Sequence, residues 1–188
     1  MICERMALVR DAGFQTREEN GNLTIEGYFA VFGSEYRMWE NAVETIAPEA
    51  FDDTLGDDVR ALVNHDTTLV LGRTSAGTLS LRVDERGLWG SVTVNAADQD
   101  AVNLYERVKR GDVSQCSFGF EILAQDIEER QDGTVHFTIR KVRLYEVSVV
   151  TFPAYEDTSV QARRKDYDAM KQQKREQWQA AMLAKLRK

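Results

Sequence analysis

One of the two histidines in this chain, His65, lies at the end of the alternating segment VRALVNH. A strand over residues 59–65 would place His65 at the end of the apolar row that begins with Val59, because alternate side chains of a strand share a face. An imidazole exchanges a proton near neutral pH, so His65 is a candidate general base. The structural alternative is a histidine at a strand end that forms a hydrogen bond with a neighbour.

A carboxylate, Glu146, lies in the middle of the strand-like segment KVRLYEVSVVTF. Strict alternation predicts that Glu146 shares a face with Leu144 and Ser148, and that both faces of this strand are covered. A buried carboxylate loses hydration, so it requires a cation, hydrogen-bond donors or a proton. The sequence leaves two interpretations open: an ion pair with Arg140 or Arg143, and a bond to a catalytic imidazole.

The segment SQCSFGFEI contains a serine, Ser117, close to a glycine in a strand pattern. Cys116 and Phe118 are predicted to point inward, which leaves Ser117 and Gly119 on the opposite face. Because Gly119 has no side chain, a substrate backbone could approach closely there. Serines in strands are common, so this signal is weak by itself.

The three polar residues together suggest nucleophilic catalysis. Ser117 would attack, His65 would remove its proton and Glu146 would orient the imidazole, and the three need only be adjacent in space. Ser114 is an alternative nucleophile three residues earlier. Cys116 is another, although its inward position predicts a buried and inert thiol.

The segments that must position these residues predict a mainly β fold with helices, of the α+β class. Apolar alternation recurs in NLTIEGYFAVFG, GTLSLRVDERGLWGSVTVN and VHFTIRKVRLYEVSVVTF, and DERG and QDGT are hairpin signals that favour antiparallel pairing. APEAFDDTLG predicts a short helix. DQDAVNLYERVKRG predicts a longer one, with Asp98 as its N-cap and Gly111 just past its end.

Charge is distributed unevenly along the 188 residues. Residues 161–188 contain nine Lys or Arg and three Asp or Glu, a net charge of +6, although the whole chain carries −7. This segment has no Gly, Pro or β-branched residue, so it predicts a basic C-terminal helical tail that is distinct from residues 1–160.

Cysteine usage and hydropathy exclude several other classes of protein. Cys3 and Cys116 lie far apart in sequence and in no metal-like spacing, so neither a disulfide framework nor a metal or other cofactor is predicted. No apolar run approaches the roughly 18 residues of a membrane span. A soluble, unsecreted protein is expected.

The order of several blocks resembles the prohead maturation proteases of tailed bacteriophages. The blocks are GYFAVFG, IAPEAFDDTL, LVNHD followed by LGR, GTLSLRVDERGLW, RGDVSQCSFGFEI and YEVSVVTFPAYEDT. They cover residues about 20 to 160, so the resemblance identifies residues 1–160 as the protease domain. It identifies His65 in the NHD block, Ser117 in the SFGF block and Glu146 in the YEVSVV block as the catalytic residues.

The resemblance also implies a fold. This family is distantly similar to the herpesvirus assemblins, so a closed, largely antiparallel β-barrel surrounded by a few helices is expected, followed by the C-terminal helix.

In assemblins the third catalytic residue is a second histidine, which makes His136 an alternative to Glu146. The position of His136 on a polar face near a hairpin argues against it. Arg73 of the LGR block is an alternative contributor to the oxyanion hole.

The function that the resemblance implies is a serine endopeptidase of procapsid maturation. It would cleave the major capsid protein or its scaffolding region, and itself, inside the viral procapsid in the host cytoplasm. Homodimers or higher self-association are expected, because assemblin-like relatives are active as dimers. A membrane is not expected as a partner. The basic tail is predicted to bind an acidic scaffold segment or to self-associate, a solvated helix is the main alternative, and nucleic acid is the least favoured partner.

Two other functions remain open at this point. One is a non-enzymatic capsid assembly or scaffold module in which the three residues are inactive. The other is an esterase with a small substrate, against which the absence of a nucleophile-elbow motif argues.

Overall fold

Two β-sheets and two α-helices make up the described part of the chain, which is residues 5–6, 12–152 and 157–186 of a computed structural model. The strands are β1 (Arg5–Met6), β2 (Gln15–Glu19), β3 (Asn22–Val31), β4 (Tyr36–Trp39), β5 (Ala42–Ile46), β6 (Arg60–Val63), β7 (Asp66–Arg73), β8 (Leu79–Val83), β9 (Gly87–Val94), β10 (Gln115–Glu129) and β11 (Val135–Val150). The helices are α1 (Gln99–Arg110), α2 (Asp157–Leu186) and two 3-10 helices, η1 (Pro48–Phe51) and η2 (Thr74–Ala76). Cys3 and residues 153–156 of the last block lie outside the described residues.

The larger sheet is organised around β11. Strand β10 pairs antiparallel with β11 along most of its length. On its other edge β11 pairs in parallel with two strands in succession, first β5 at residues 135–139 and then β6 at residues 146–149. The smaller sheet is antiparallel, in the order β2-β3-β9-β8. The second half of β11 is therefore flanked by β10 and β6, the two strands on which the sequence predicted the serine and the histidine.

The expectation of a closed β-barrel is wrong. Among the described strands, neither sheet pairs its end strands with each other, and no strand of one sheet pairs with a strand of the other. The structure is a mixed α+β fold in which two open sheets share a core. Apolar alternation specifies which face of each strand is buried. A closed barrel and two sheets packed face to face bury those faces equally well, so the alternation does not distinguish between them.

The core that the sheets share contains a cluster of aromatic rings. Phe118 and Phe120 of β10 stack with their centroids 4.7 Å apart, and Phe51 of η1 meets Phe118 edge-on at 5.6 Å. All three side chains are fully buried. Burying one such ring contributes about 1.5–3 kcal/mol, so these contacts hold one face of β10 firmly inward. Ser117 and Gly119 consequently lie on the opposite face.

Several local elements agree with the sequence predictions. Helix α1 begins after Asp98, which accepts the backbone N–H groups of Asp100 and Ala101 at 3.0 and 3.3 Å. It ends at Gly111, whose φ of +88° is the left-handed conformation that favours glycine. The DERG and QDGT segments connect β8 to β9 and β10 to β11, and the APEAFDDTLG segment contains η1.

A bulge in β11 changes which of its side chains share a face. Gly119 of β10 pairs with Glu146. The next residue, Phe120, pairs with Leu144, so Tyr145 has no partner on β10. Leu144 therefore lies on the core side with Phe120, and Glu146 lies on the other side. The prediction that Glu146 and Leu144 share a face is wrong, because the extra residue shifts the alternation by one.

A buried threonine satisfies the backbone beside this bulge. Thr54, which is 1% exposed, accepts the backbone N–H of Leu144 at 2.9 Å through its hydroxyl oxygen. The same hydroxyl donates to Asp57 at 2.9 Å. An unpaired N–H at this buried position would be costly, so Thr54 stabilises the irregular strand that presents Glu146.

Helix α2 belongs to a second compact unit. The contacts within the chain divide it into residues 1–155 and 156–188. The described side chains of α2 are mostly exposed, including Trp178 at 64% and Leu183 at 58%. None of the helices in the described residues is long and apolar enough to cross a membrane.

Replacing Thr54 tests the support for the bulge. Thr54→Val keeps the shape of the side chain but leaves the Leu144 N–H without an acceptor, so it should lower the free energy of unfolding by about 1–3 kcal/mol. Thr54→Ser keeps the hydroxyl and is the control. Urea unfolding measures both, and a Thr54→Val protein at least as stable as Thr54→Ser would contradict the role of the hydrogen bond.

Candidate active site

His65 lies in a tight turn, not in a strand. Strand β6 ends at Val63 and β7 begins at Asp66, and the two residues between them, Asn64 and His65, have φ angles of +51° and +61°. Two consecutive positive φ angles are typical of type I′ hairpin turns, and Asn and His adopt this conformation more readily than most residues do. The prediction that His65 closes the apolar row of a strand is therefore wrong.

Three hydrogen bonds attach this turn to the end of β11. The backbone N–H of Asn64 donates to the carbonyl of Val149 at 3.0 Å, and the Asn64 side chain accepts the N–H of Thr151 at 2.9 Å. The N–H of His65 donates to the hydroxyl of Ser148 at 3.3 Å. The turn is therefore anchored to the strand that carries the candidate carboxylate.

The residue after the turn, Asp66, has a local structural role. Its Oδ1 atom accepts the hydroxyl of Thr68 at 2.6 Å and the backbone N–H of Thr68 at 2.8 Å. These bonds, the hydroxyl first, lower the pKa of Asp66. Each residue of the Asn-His-Asp block thus has an identifiable role, and the histidine is the one whose side chain binds Glu146.

The imidazole of His65 is bound to Glu146. Nδ1 of His65 lies 2.7 Å from Oε1 of Glu146, and the two side chains are only 17% and 14% exposed. Because a carboxylate can only accept, Nδ1 carries the hydrogen and Nε2 can serve as the basic nitrogen. The second carboxylate oxygen, Oε2, accepts the hydroxyl of Ser148 at 2.5 Å. Both oxygens of the carboxylate are therefore hydrogen-bonded.

The two arginines considered as partners of Glu146 bind other carboxylates. Arg140 binds Asp126 at 2.7 Å and Glu49 at 2.9 Å. Arg143 binds Glu121 at 3.2 Å. The structural interpretation of Glu146 as the partner of either arginine is therefore wrong.

The second nitrogen of the imidazole is buried and has no partner. Among the described residues, Nε2 of His65 is the one buried side-chain nitrogen or oxygen atom without a hydrogen bond. An atom of this kind costs about 1–3 kcal/mol in a folded protein, and native structures keep few of them. The oriented ring therefore presents a free basic nitrogen inside the fold.

Strand pairing brings Ser117 to the same face as the other two residues. Ser117 of β10 stands opposite Ser148 of β11, and Gly119 stands opposite Glu146. Residues directly opposite in an antiparallel pair have Cα atoms about 4.5–5.5 Å apart and share a face. Ser117 is 1% exposed. The described hydrogen bonds include none between Ser117 and His65, so the serine is positioned by its strand alone.

The other candidate nucleophiles lie elsewhere. Cys116 is fully buried on the core side, where its thiol donates to the backbone carbonyl of Tyr28 at 3.0 Å and lies 3.4 Å from that of Phe29. Ser114 is exposed and precedes β10, outside the strand pairing that positions Ser117.

The alternative third residue, His136, lies near the other end of β11. It precedes Glu146 by ten positions along the strand, which corresponds to about 30 Å. Its Nε2 atom is 2.9 Å from the Thr45 hydroxyl, and burial, more than the charge of Arg130, lowers the pKa of His136.

Arg73, the alternative contributor to the oxyanion hole, forms an ion pair on strand β7. Its guanidinium binds Asp58 through two hydrogen bonds of 2.7 and 2.5 Å. Both side chains are exposed. The guanidinium is therefore occupied by a carboxylate of its own chain.

Two residues that support the site were not predicted from the sequence. Ser148 binds both Glu146 and the backbone of His65, and Asn64 attaches the turn to β11. Ser148 could have been found from its spacing, because it follows Glu146 by two residues on the same face. The role of Asn64 had no such signal, since Asn-His is not one of the common two-residue turn pairs.

One family model matches most of the length of this chain. A family model described as Caudovirus prohead serine protease matches residues 11–173. The prohead protease of Enterobacteria phage HK97 is 28% identical over 141 residues, which cover 73% of this chain and 60% of that protein. The chain thus spans less than two thirds of that relative. The structure of the bacteriophage T4 capsid assembly protease, gp21, aligns with a TM-score of 0.49 at 12% identity, over 80% of this chain and 99% of that one.

Replacing Ser148 tests the support of the carboxylate. Ser148→Ala should lower kcat for hydrolysis of an activated ester or peptide about 10- to 100-fold, because a hydrogen bond to a charged group contributes about 1.5–3 kcal/mol. Ser91→Ala is the control, since Ser91 donates to Glu26 at 3.3 Å in the smaller sheet. Initial rates and urea unfolding measure both variants. Similar kcat values for the two variants would contradict the role of Ser148.

Proposed function

We infer that this chain, which belongs to the Caudovirus prohead serine protease family, is a serine endopeptidase with Ser117 as nucleophile, His65 as general base and Glu146 as orienting carboxylate. The family match contains all three residues. One observation carries the assignment: Nδ1 of His65 is bound to Glu146 at 2.7 Å while Nε2 is buried without a partner. Activation of a hydroxyl requires a free basic nitrogen, and Ser117 stands opposite Ser148, which binds the backbone of His65.

The proposed mechanism proceeds through an acyl-enzyme. Nε2 of His65 takes the proton of the Ser117 hydroxyl as Oγ attacks the carbonyl carbon of the scissile peptide bond. The imidazolium that forms is stabilised by Glu146, and it donates its proton to the departing amine as the C–N bond breaks. His65 then activates a water molecule, which attacks the acyl carbon and releases Ser117 with its proton restored.

Burial makes the His65–Glu146 pair effective in this mechanism. A charge-charge interaction is stronger in a medium of low dielectric constant than in water, and the two side chains are mostly buried. The carboxylate also receives the donors that a buried anion requires, from Nδ1 of His65 and the hydroxyl of Ser148. The imidazolium would therefore form beside a preorganised negative charge.

We propose the major capsid protein and its scaffolding segment as substrates, together with the chain itself. Cleavage would take place inside the procapsid in the host cell. The description of the family supports this assignment, and so does the name of the HK97 relative, prohead protease.

The basic segment 161–188, which exposes Trp178 and Leu183, is the surface that we propose for binding an acidic scaffold segment or for self-association as a homodimer or larger assembly.

The first prediction of this function concerns the nucleophile. Ser117→Ala should abolish fluorophosphonate labelling, cleavage of a co-expressed capsid protein and self-cleavage, all read by mass spectrometry. Cys116→Ala is the control, and it should cost about 1 kcal/mol of stability and retain cleavage.

Other results would reassign the site or the function. Full activity of Ser117→Ala with loss in Ser114→Ala would move the nucleophile three residues upstream. Absence of labelling of the wild-type protein in every assembly state would favour the non-enzymatic assembly module. Cleavage confined to short esters would favour an esterase.

The second prediction separates an orienting carboxylate from a structural one. Glu146→Gln keeps the shape of the side chain but can present the wrong hydrogen-bonding group to Nδ1, so kcat should fall on the order of 10⁴-fold with little change in KM. Glu26→Gln, which alters the Ser91–Glu26 pair of the smaller sheet, is the control and should leave turnover unchanged.

A purely structural role for Glu146 would give a different result. Removing one partner of a buried pair lowers stability by about 3–5 kcal/mol, and the protein that remains folded would keep its activity. Peptide turnover and the thermal midpoint are therefore measured on the same Glu146→Gln sample. A lowered midpoint with turnover within about threefold of wild type would remove Glu146 from the site.

A further inference from the structure

The space above Gly119 is filled by the carboxylate of Glu146. A Cβ atom built on Gly119 would lie 2.5 Å from Oε1 of Glu146, 3.1 Å from its Cγ and 3.2 Å from its Cδ. A Cβ contact shorter than 3.0 Å is essentially never seen in proteins. The sequence suggested that this glycine leaves room for a substrate backbone. The structure shows that a side chain of the protein itself occupies the room.

The atom nearest to this missing Cβ is the one that binds the imidazole. Oε1 of Glu146 is 2.7 Å from Nδ1 of His65. The other oxygen, Oε2, is held by the hydroxyl of Ser148 at 2.5 Å. A side chain at position 119 would therefore displace the oxygen that orients His65, and the bond to Ser148 limits where the carboxylate can move.

The backbone at Gly119 gives no other reason for a glycine. Its φ angle is not among the positive values in the described residues, whereas those of Gly111 and Gly133 are. Any residue can adopt an ordinary strand conformation, so alanine is compatible with the backbone here. What excludes a side chain is the space that Glu146 takes.

We propose that Gly119 is a positioning residue, whose missing side chain forms the slot that holds the Glu146 carboxylate against His65. The proposal rests on the triad of the proposed function and adds a fourth residue to it. Gly119 touches no reacting atom and acts only through Glu146. Ser117 and Gly119, two residues apart on the same strand face, thus serve the same reaction in different ways: one supplies the nucleophile and the other makes room for the carboxylate.

A double-mutant cycle tests whether Gly119 acts through Glu146. Gly119→Ala should lower kcat for peptide cleavage at least about 100-fold while KM stays within about threefold. In a Glu146→Ala background, where the slot is empty, the same substitution should change kcat by less than about threefold, because coupled residues are not additive. Gly56→Ala is the matched control, since a Cβ there meets nothing within 4 Å and its φ is ordinary.

Two kinetic results would overturn the proposal. Equal losses of kcat in the two backgrounds would mean that Gly119 does not act through the carboxylate. A raised KM with unchanged kcat would mean that the space serves the substrate, as the sequence suggested.

Folding of the variants gives a second test. If Gly119→Ala fails to fold but Gly119→Ala/Glu146→Ala folds, the clash is with Glu146 and the slot is supported. If Glu146→Ala alone folds and neither of these two variants does, a side chain at position 119 clashes with something other than this carboxylate, and the proposal is wrong.

A third measurement is independent of activity. The chain has only two histidines, so ¹⁵N spectra of histidine-labelled protein resolve each ring, and His136 reports that the fold is intact. In the wild type and in Gly56→Ala, the His65 ring should carry its proton on Nδ1, and in Gly119→Ala this tautomer should be lost.

This spectrum separates failure of the proposal from failure of the proposed function. An inactive wild type with the expected tautomer change would reject the peptidase and leave the slot intact. A Gly119→Ala protein that retains the Nδ1 proton would overturn the slot, whatever the wild type cleaves.

Discussion

The hydrogen bond between His65 and Glu146 joins two segments that are 81 residues apart, and much of the local structure serves to make it possible. The bulge at Tyr145 turns Glu146 away from the core, and the left-handed turn at residues 64–65 directs the imidazole toward it. Parallel pairing of β6 with the second half of β11 brings that turn to the carboxylate. Together these features place the two side chains within hydrogen-bond distance.

The bulge, the turn and the buried carboxylate are each unfavourable by themselves, and each is stabilised by a specific neighbour. The bulge has its free N–H satisfied by Thr54, the positive φ angles of the turn are held by hydrogen bonds to β11, and the buried carboxylate receives two donors. Local strain and unpaired polar atoms are often concentrated at functional sites, where the surrounding structure over-determines them. The aromatic cluster beneath β10, on the other face of the same strand, supplies the rigid packing that this arrangement needs.

Much of this protein could be predicted from its sequence. The period-2 alternation identified most of the strands, and turn and capping residues identified the two hairpins and both ends of helix α1, because these signals depend on neighbours a few residues away. The inward direction of Cys116 and Phe118, and hence the outward direction of Ser117, followed from the same alternation. The blocks of sequence around His65, Ser117 and Glu146 led to the family that the comparisons then identified.

The features that only the tertiary structure determined are of two kinds. In the first, a single residue interrupts the period-2 alternation of a strand. In the second, segments that are distant in sequence come into contact. A single bulged residue moved Glu146 to the other face, and a two-residue turn without glycine ended β6 before His65. The open sheets, the support from Ser148 and Thr54, and the use of the space at Gly119 all depend on contacts between segments far apart in the chain. Alternation specifies which side of a strand is apolar, but the strand that pairs at its edge, and the side chain that fills a gap, depend on the free energy of the whole fold.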